Sequence, residues 1–202
     1  MQIENHKEEV PFAHYEEKFR HADPMEMAKR SGIDWDGSRF HIVLMHKSYV
    51  ITHPAATIQT LADGTLPPLP VQTFLLRCLL EGKAVLWTGN WKTFRELPWG
   101  EVYHRSFSGR CLTRAAFAFG SRLEAFRAAC EKIGGLPVNH GDAGYEFHFL
   151  LRYKMRILIW EGDEEFPPSA QILYSDNFAE GFTAEDRVVA ADILISAIRS
   201  QM

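Results

Sequence analysis

The chain has 202 residues, 46% hydrophobic and 24% charged, so it is long and apolar enough to fold around a sizeable core, which excludes a disordered segment. Its formal net charge of -4 gives no overall attraction to nucleic-acid phosphates or anionic lipid. The sequence has no apolar stretch long enough to cross a bilayer, and its first residues lack a signal-peptide layout. We therefore expect one cytoplasmic domain, residues 1–202, that binds neither nucleic acid nor membrane.

The three cysteines, Cys78, Cys111 and Cys130, are widely spaced and lie in apolar segments with a helix-like pattern. They are odd in number and include no Cys-x-x-Cys pair, which argues against disulfides and against a cysteine-based zinc or iron–sulfur site. We expect reduced, buried thiols.

The amino-terminal part predicts a helical arm over residues 1–32, followed by a strand meander. Asp23 is a helix N-cap, Pro24 suits the first helical position, and Gly32 ends the second helix. The two helices are expected at about 12–22 and 24–31, and the three antiparallel strands at 39–45, 48–52 and about 56–61.

The central part begins with a stiff proline-rich connector at 66–70 and a strongly apolar helix at 71–80, which Gly82 ends. This helix should be buried. Irregular, tryptophan-rich text follows over 85–105, and an apolar repeat near helical period predicts the longest helix over about 109–133.

The carboxy-terminal third predicts strands at 145–150, 155–160 and 171–174, and a final helix capped by Thr183. Meanders and helices are segregated along the chain, without regular strand–helix alternation. The expected fold class is therefore α+β, with antiparallel strand meanders packed against helices in a single domain.

An acidic loop, residues 161–165, directly follows an apolar strand. Asp163, Glu164 and Glu165 are hard oxygen donors, and the loop could bind Mg²⁺ or Ca²⁺, pair with an arginine, or be a solvated turn. Its spacing does not match an EF-hand. Asp176 should lie at the far end of the hairpin with Lys154 or Arg156, where we expect it to form an ion pair or to be a turn residue.

A second candidate site is the aromatic and charged block from Trp87 to His104. Flat rings beside an arginine suit a planar or anionic ligand, although a long loop packed by its own aromatics is the alternative. If Arg95 reached the acidic loop, the two features would form one charge network. The predicted ligand-binding residues are Trp91, Arg95, Glu96, Trp99, Tyr103, His104 and Trp160.

Familiar catalytic motifs are missing from the sequence. It contains no Gly-x-Ser-x-Gly elbow, no phosphate-binding P-loop and no Gly-x-Gly-x-x-Gly fingerprint. Its nine histidines form no His-Glu-x-x-His pair or other known metal pattern.

Two segments, Phe94–Pro98 and Trp160–Leu173, resemble those of an uncharacterised prokaryotic domain family. The order of the blocks, from the early meander to the final capped helix, agrees with this resemblance over most of the chain. The resemblance implies a domain of anaerobes that in some members is attached to an iron–sulfur module, and hence a redox or corrinoid-related context. It implies no specific activity or cofactor, and this chain lacks the cysteine module.

Three hypotheses of function remain open. The first is an accessory domain that binds a small molecule or a protein partner near the aromatic block. The second is a metal-assisted hydrolase or lyase, in which Asp163 and Glu165 hold a divalent ion and Glu164 or His104 moves a proton. The third is an assembly protein whose exposed aromatics form an interface. The cofactor and the oligomeric state stay open.

Overall fold

The computed structural model describes residues 6–202; residues 1–5, the start of the expected arm, lie outside the described part. The chain divides into two compact units, with the boundary between Ala84 and Val85. Each unit combines antiparallel strands with helices, which confirms the predicted α+β class. One domain over 1–202 stays a prediction.

The described part of the first unit holds three helices and four strands. They are α1 (His6–His21), α2 (Pro24–Ser31), β1 (Asp34–Trp35), β2 (Arg39–Leu44), β3 (Lys47–Thr52), β4 (Thr57–Thr60) and α3 (Leu69–Glu81). Strands β2, β3 and β4 pair in sequence as an antiparallel meander, and β1 adds to β2. The predicted meander is confirmed.

Local signals set the ends of the helices in this unit. The Asp23 carboxylate accepts hydrogen bonds from the backbone N–H groups of Met25 (2.8 Å) and Glu26 (3.1 Å), so it caps α2. Gly32 ends α2 with a left-handed φ of 73°. The apolar helix α3 buries six of its 13 residues, including Phe74, Leu75 and Leu76, and ends before Gly82.

The described part of the second unit is built on a larger antiparallel sheet. Its elements are β5 (Trp91–Thr93), a 3-10 turn (Phe94–Glu96), α4 (Gly100–Phe107), a π-helical segment (Ser108–Thr113), α5 (Arg114–Phe119), α6 (Leu123–Lys132), β6 (Leu136–Pro137), β7 (Ala143–Leu150), β8 (Tyr153–Trp160), β9 (Ser169–Ser175), α7 (Phe178–Gly181) and α8 (Ala184–Arg199). Within this unit the strand order is β6-β7-β8-β9-β5. The strands predicted at 145–150, 155–160 and 171–174 are confirmed.

One face of this sheet forms the core of the second unit. Met155, Ile157 and Tyr174 point from it toward the helices and are fully buried. Phe94 and Phe107 stack there with ring centroids 4.1 Å apart and planes within 7° of parallel. Because strand side chains alternate, residues one step along β8 and β9 point to the opposite face.

The single long helix predicted over 109–133 is wrong. The chain is π-helical over Ser108–Thr113, and the helix then breaks between Phe119 and Leu123. At the break, a Cβ on Gly120 would lie only 2.3 Å from the side chain of Pro168, so the two segments approach closely there. The apolar repeat continues across the break, which explains the error. Of the described helices, α1 and α8 are the longest at 16 residues, and none could cross a membrane.

The final helix agrees with its prediction. The hydroxyl of Thr183 and the carboxylate of Asp186 exchange hydrogen bonds with each other's backbone N–H groups, which forms a capping box.

The buried Arg187 was not predicted from the sequence; it is only 1% exposed. Its guanidinium donates to the carbonyl oxygens of Thr183 (3.0 Å) and Pro98 (2.8 Å), so it fixes the turn before α4. Burial lowers the pKa of Arg187.

The three cysteines are buried thiols, as predicted. The Sγ atom of Cys111 lies 3.7 Å from the carbonyl oxygen of Val188, and burial raises the pKa of this thiol to about 12. A protonated, enclosed thiol is a packing residue and is inert toward reagents in solution.

We predict that Gly100→Ala destabilises the second unit by about 1–3 kcal/mol, because overpacking forces the backbone to shift. A Cβ at this position would lie 1.8 Å from the carbonyl oxygen of Phe94. The matched control is Gly109→Ala, where the added Cβ meets nothing within 4 Å. Urea unfolding followed by circular dichroism measures both. Equal stability of the two variants would contradict the packing described for the turn before α4.

Candidate functional site

The acidic loop joins β8 to β9 and is stabilised by its own backbone. One carboxylate oxygen of Asp163 accepts hydrogen bonds from the N–H groups of Glu165 (2.8 Å) and Phe166 (2.7 Å). These bonds hold the pKa of Asp163 below its ordinary value. Glu164 and Glu165 are exposed. Backbone amides therefore take up the charge of Asp163.

The metal site predicted at Asp163, Glu164 and Glu165 stays a prediction. Among the residues that the structure describes, no three or more His, Cys, Asp or Glu side chains are grouped so that they could hold a metal ion. A dedicated Mg²⁺ or Ca²⁺ site needs several oxygen ligands that converge. This arrangement gives no support to the metal-assisted enzyme.

Arg95 and Glu96 are both used by local contacts. The guanidinium of Arg95 donates two hydrogen bonds to the carboxylate of Glu101, at 2.8 and 2.7 Å. Glu96 accepts hydrogen bonds from the backbone N–H (2.7 Å) and hydroxyl (2.8 Å) of Thr93, and these bonds lower the pKa of Glu96. Arg95 therefore pairs with Glu101, and the condition for one charge network with the acidic loop is not met.

Trp99, Tyr103 and His104 lie at the start of α4. Trp99 has a left-handed backbone (φ 62°) and a side chain that is 73% exposed, and Tyr103 is 51% exposed. The Nδ1 atom of His104 is buried without a hydrogen-bond partner. Helix α4 packs through Phe107 against Tyr174, so it belongs to the helical side of the sheet.

Trp91 belongs to the opposite face of the sheet. It pairs with Ser175 of β9, next to Tyr174, so its side chain points away from the helices. The predicted ligand-binding residues are thus divided between two surfaces. One line of paired residues crosses four strands beside Trp91. Its members are Thr93, Leu173, Arg156 and Glu146.

A charged triad of Glu146, Lys154 and Arg156 occupies this face. One carboxylate oxygen of Glu146 accepts from Lys154 Nζ (2.9 Å), and the other accepts from Arg156 Nη2 (2.8 Å) and Nε (3.0 Å). The side chains are 12%, 20% and 23% exposed, respectively. Burial alone would raise the pKa of Glu146, but hydrogen bonds from both cations outweigh it and the pKa is lowered.

Two indole rings, Trp87 and Trp91, cover the cations of the triad; we call them the tryptophan cover. Lys154 Nζ lies 4.7 Å from the ring centroid of Trp87, and the guanidinium carbon of Arg156 lies 4.1 Å from that of Trp91. The two rings meet edge to face with centroids 5.4 Å apart. Cation–π contacts of this kind contribute roughly 0.5–2 kcal/mol each, more when water is excluded.

Asp176 holds the tryptophan cover over the sheet. Its carboxylate accepts hydrogen bonds from the backbone N–H (3.1 Å) and the hydroxyl of Thr88. Its own N–H donates to the carbonyl oxygen of Asn90 (3.1 Å), which also accepts from the indole N–H of Trp87 (2.9 Å). Asp176 lies in a turn, which was one of the two predicted alternatives. The other alternative, an ion pair with Lys154 or Arg156, is wrong, because Glu146 takes both cations.

Four of the five residues at this site were not among those predicted. They are Trp87, Glu146, Lys154 and Arg156. A signal for the triad does exist: alternate residues of β8 are cationic, and a tight hairpin places Glu146 directly opposite Arg156. Trp160 shares the face, but it is four residues, about 13 Å, along β8 from Arg156 and is 38% exposed.

The triad carries one positive charge more than Glu146 can neutralise. Lys154 Nζ makes one of its three possible hydrogen bonds, and Arg156 Nη1 makes none within the described residues. Half-buried donors beside flat aromatic surface are the groups that hold an anion. The geometry of this face therefore favours binding of an anionic ligand.

We predict that Glu146→Gln lowers the free energy of unfolding by about 2 kcal/mol at pH 7, because two cations then lose their counter-charge. Since the pKa of Glu146 is lower in the folded than in the unfolded chain, its ionised form stabilises the fold above the ordinary value of 4.5. This stabilisation disappears as the pH falls through the folded pKa.

Urea unfolding at pH 7 and at several pH values below 4.5 measures this effect. The difference in the free energy of unfolding between the native chain and Glu146→Gln should become smaller as the pH falls. Glu124→Gln is the control, since the Glu124 side chain is 93% exposed and should contribute little at any pH. A gap that does not depend on pH would mean that the charge of Glu146 does not stabilise the fold.

Comparison with known proteins identifies the family. No curated protein and no solved structure matches the chain significantly. The model of a family described as "Domain of unknown function (DUF3786)" matches residues 23–197, which include both strand meanders and the whole tryptophan-covered triad. The chain is therefore a member of the DUF3786 family.

Proposed function

We propose that the chain is an accessory domain that binds an anionic small molecule at the charged triad beneath Trp87 and Trp91. The observation that carries this proposal is the pair of half-buried cations, Lys154 and Arg156, which share one carboxylate and retain unused donors. Glu146 can neutralise only one of these two cations. The second cation costs desolvation energy that an anionic ligand would offset.

Two further observations bear on the cellular compartment and the metabolic context of this function. The three buried cysteine thiols fit a reducing compartment, and we place the chain in the cytoplasm. The segments Phe94–Pro98 and Trp160–Leu173 resemble a domain of anaerobes, and we place the binding role in anaerobic redox or corrinoid-related metabolism.

We predict that small anions quench or shift the tryptophan fluorescence of the native chain in a saturable way, since binding changes the surroundings of Trp87 and Trp91. The titrants are acetate, benzoate, sulfate and inorganic phosphate. Arg156→Met should lower the affinity for the most tightly bound anion by about tenfold or more, which corresponds to the loss of one charge-assisted hydrogen bond.

Arg105→Met is the matched control, because Arg105 is an exposed cation on α4 away from the sheet face. It should bind each anion as the native chain does. A response to none of the four anions, or equal weakening in the Arg156 and Arg105 variants, would remove the proposed function.

A further inference from the structure

We propose that the ligand at the triad is a monocarboxylate attached to a flat ring system. This inference rests on the proposed function and deepens it, because it names the anionic group and the body of the ligand. Three features carry it: the charge balance of the triad, its free donors, and the flat faces of the tryptophan cover.

The charge balance favours a monoanion. Lys154 and Arg156 carry two positive charges and Glu146 carries one negative charge, so one charge remains to be neutralised. A carboxylate supplies one negative charge. A phosphate monoester, close to a dianion at neutral pH, would leave a net negative charge next to Glu146, which is costly where side chains are only 12–23% exposed.

The free donors of the triad suit a carboxylate. Glu146 bridges the two cations with one oxygen on Lys154 Nζ (2.9 Å) and the other on Arg156 Nη2 (2.8 Å) and Nε (3.0 Å). Lys154 Nζ keeps two hydrogens, and Nη1 of Arg156 makes no hydrogen bond within the described residues. Both groups can therefore donate to the oxygens of an added carboxylate.

The tryptophan cover suits a flat, apolar body. Trp87 and Trp91 each place one ring face against a cation and remain partly exposed. Leu173 stands beside Arg156 on the same face and is also half-buried. Contact with an aromatic ring buries the apolar surface of the indole faces and of the leucine side chain, which favours binding. A small, fully hydrated anion buries little of that surface.

Calorimetric titration of the whole chain with four probes tests this inference. The probes are 2-naphthoate, its neutral amide, 2-naphthyl phosphate and acetate. We expect 2-naphthoate to bind about tenfold or more tightly than each of the other three. Trp91→Leu should lower the affinity for 2-naphthoate to about the affinity for acetate, because it removes one of the two ring faces.

Removing the charge of Glu146 should change the preference. In Glu146→Gln the triad has two unneutralised cations, so the ratio of 2-naphthoate to 2-naphthyl phosphate affinity should fall by about tenfold. Trp91→Leu keeps the inference testable if Glu146→Gln does not fold, because it leaves all three charged groups in place.

The outcomes separate the two proposals. If 2-naphthyl phosphate binds as tightly as 2-naphthoate, and Arg156→Met abolishes that binding, the inference is wrong and the proposed anion site stands. If the neutral amide binds as tightly as 2-naphthoate, the site does not require an anion, and both the inference and the proposed function are wrong. If no probe binds, or binding is the same in Arg156→Met, both the inference and the proposed function are wrong.

Discussion

The ionised carboxylate of Glu146 between Lys154 and Arg156 is the interaction on which the functional face depends. Three charged groups of which little is exposed to water are costly to desolvate, and only good geometry offsets that cost. The geometry comes from strand register, since β7 places Glu146 directly opposite Arg156. A slip of one residue would move these side chains to the core face, so the apolar packing on the other side of the sheet also holds the triad.

The tryptophan cover extends this constraint to the edge of the sheet. Strand β5 is only three residues long, and its position depends on pairing with β9 and on the contacts of Asp176 with Thr88 and Asn90. These contacts turn the two indole rings back over the cations. The same segment therefore protects the triad from water and forms the flat surface on which we place the ligand.

Local patterns in the sequence were sufficient to predict most elements of the fold. The cap at Asp23, the stop at Gly82 and the capping box at Thr183 are signals within a few residues, and the structure confirms them. The failure at Gly120 is different, because the helix break accompanies a close approach to Pro168, a residue distant in sequence. An apolar repeat contains no information about such an approach.

The candidate site was less predictable, because its five residues come from three separate segments. Trp91 was predicted from the aromatic block. Arg95 and Glu96, from the same block, instead form hydrogen bonds with residues close to them in sequence, Glu101 and Thr93. The acidic loop was chosen as a candidate site because of its composition. In the structure, the carboxylate of Asp163 accepts hydrogen bonds from backbone N–H groups of the loop itself. Composition reveals where charge is dense, whereas only register reveals which charges share a face.

The most direct test of the account is to observe each of the five indole N–H groups by proton–nitrogen NMR during titration with 2-naphthoate. The account predicts saturable shifts at Trp87 and Trp91, with Trp35 and Trp99 unchanged. Shifts centred on Trp99, or no saturable shift at Trp87 and Trp91, would contradict the claim that the tryptophan-covered triad is the binding site.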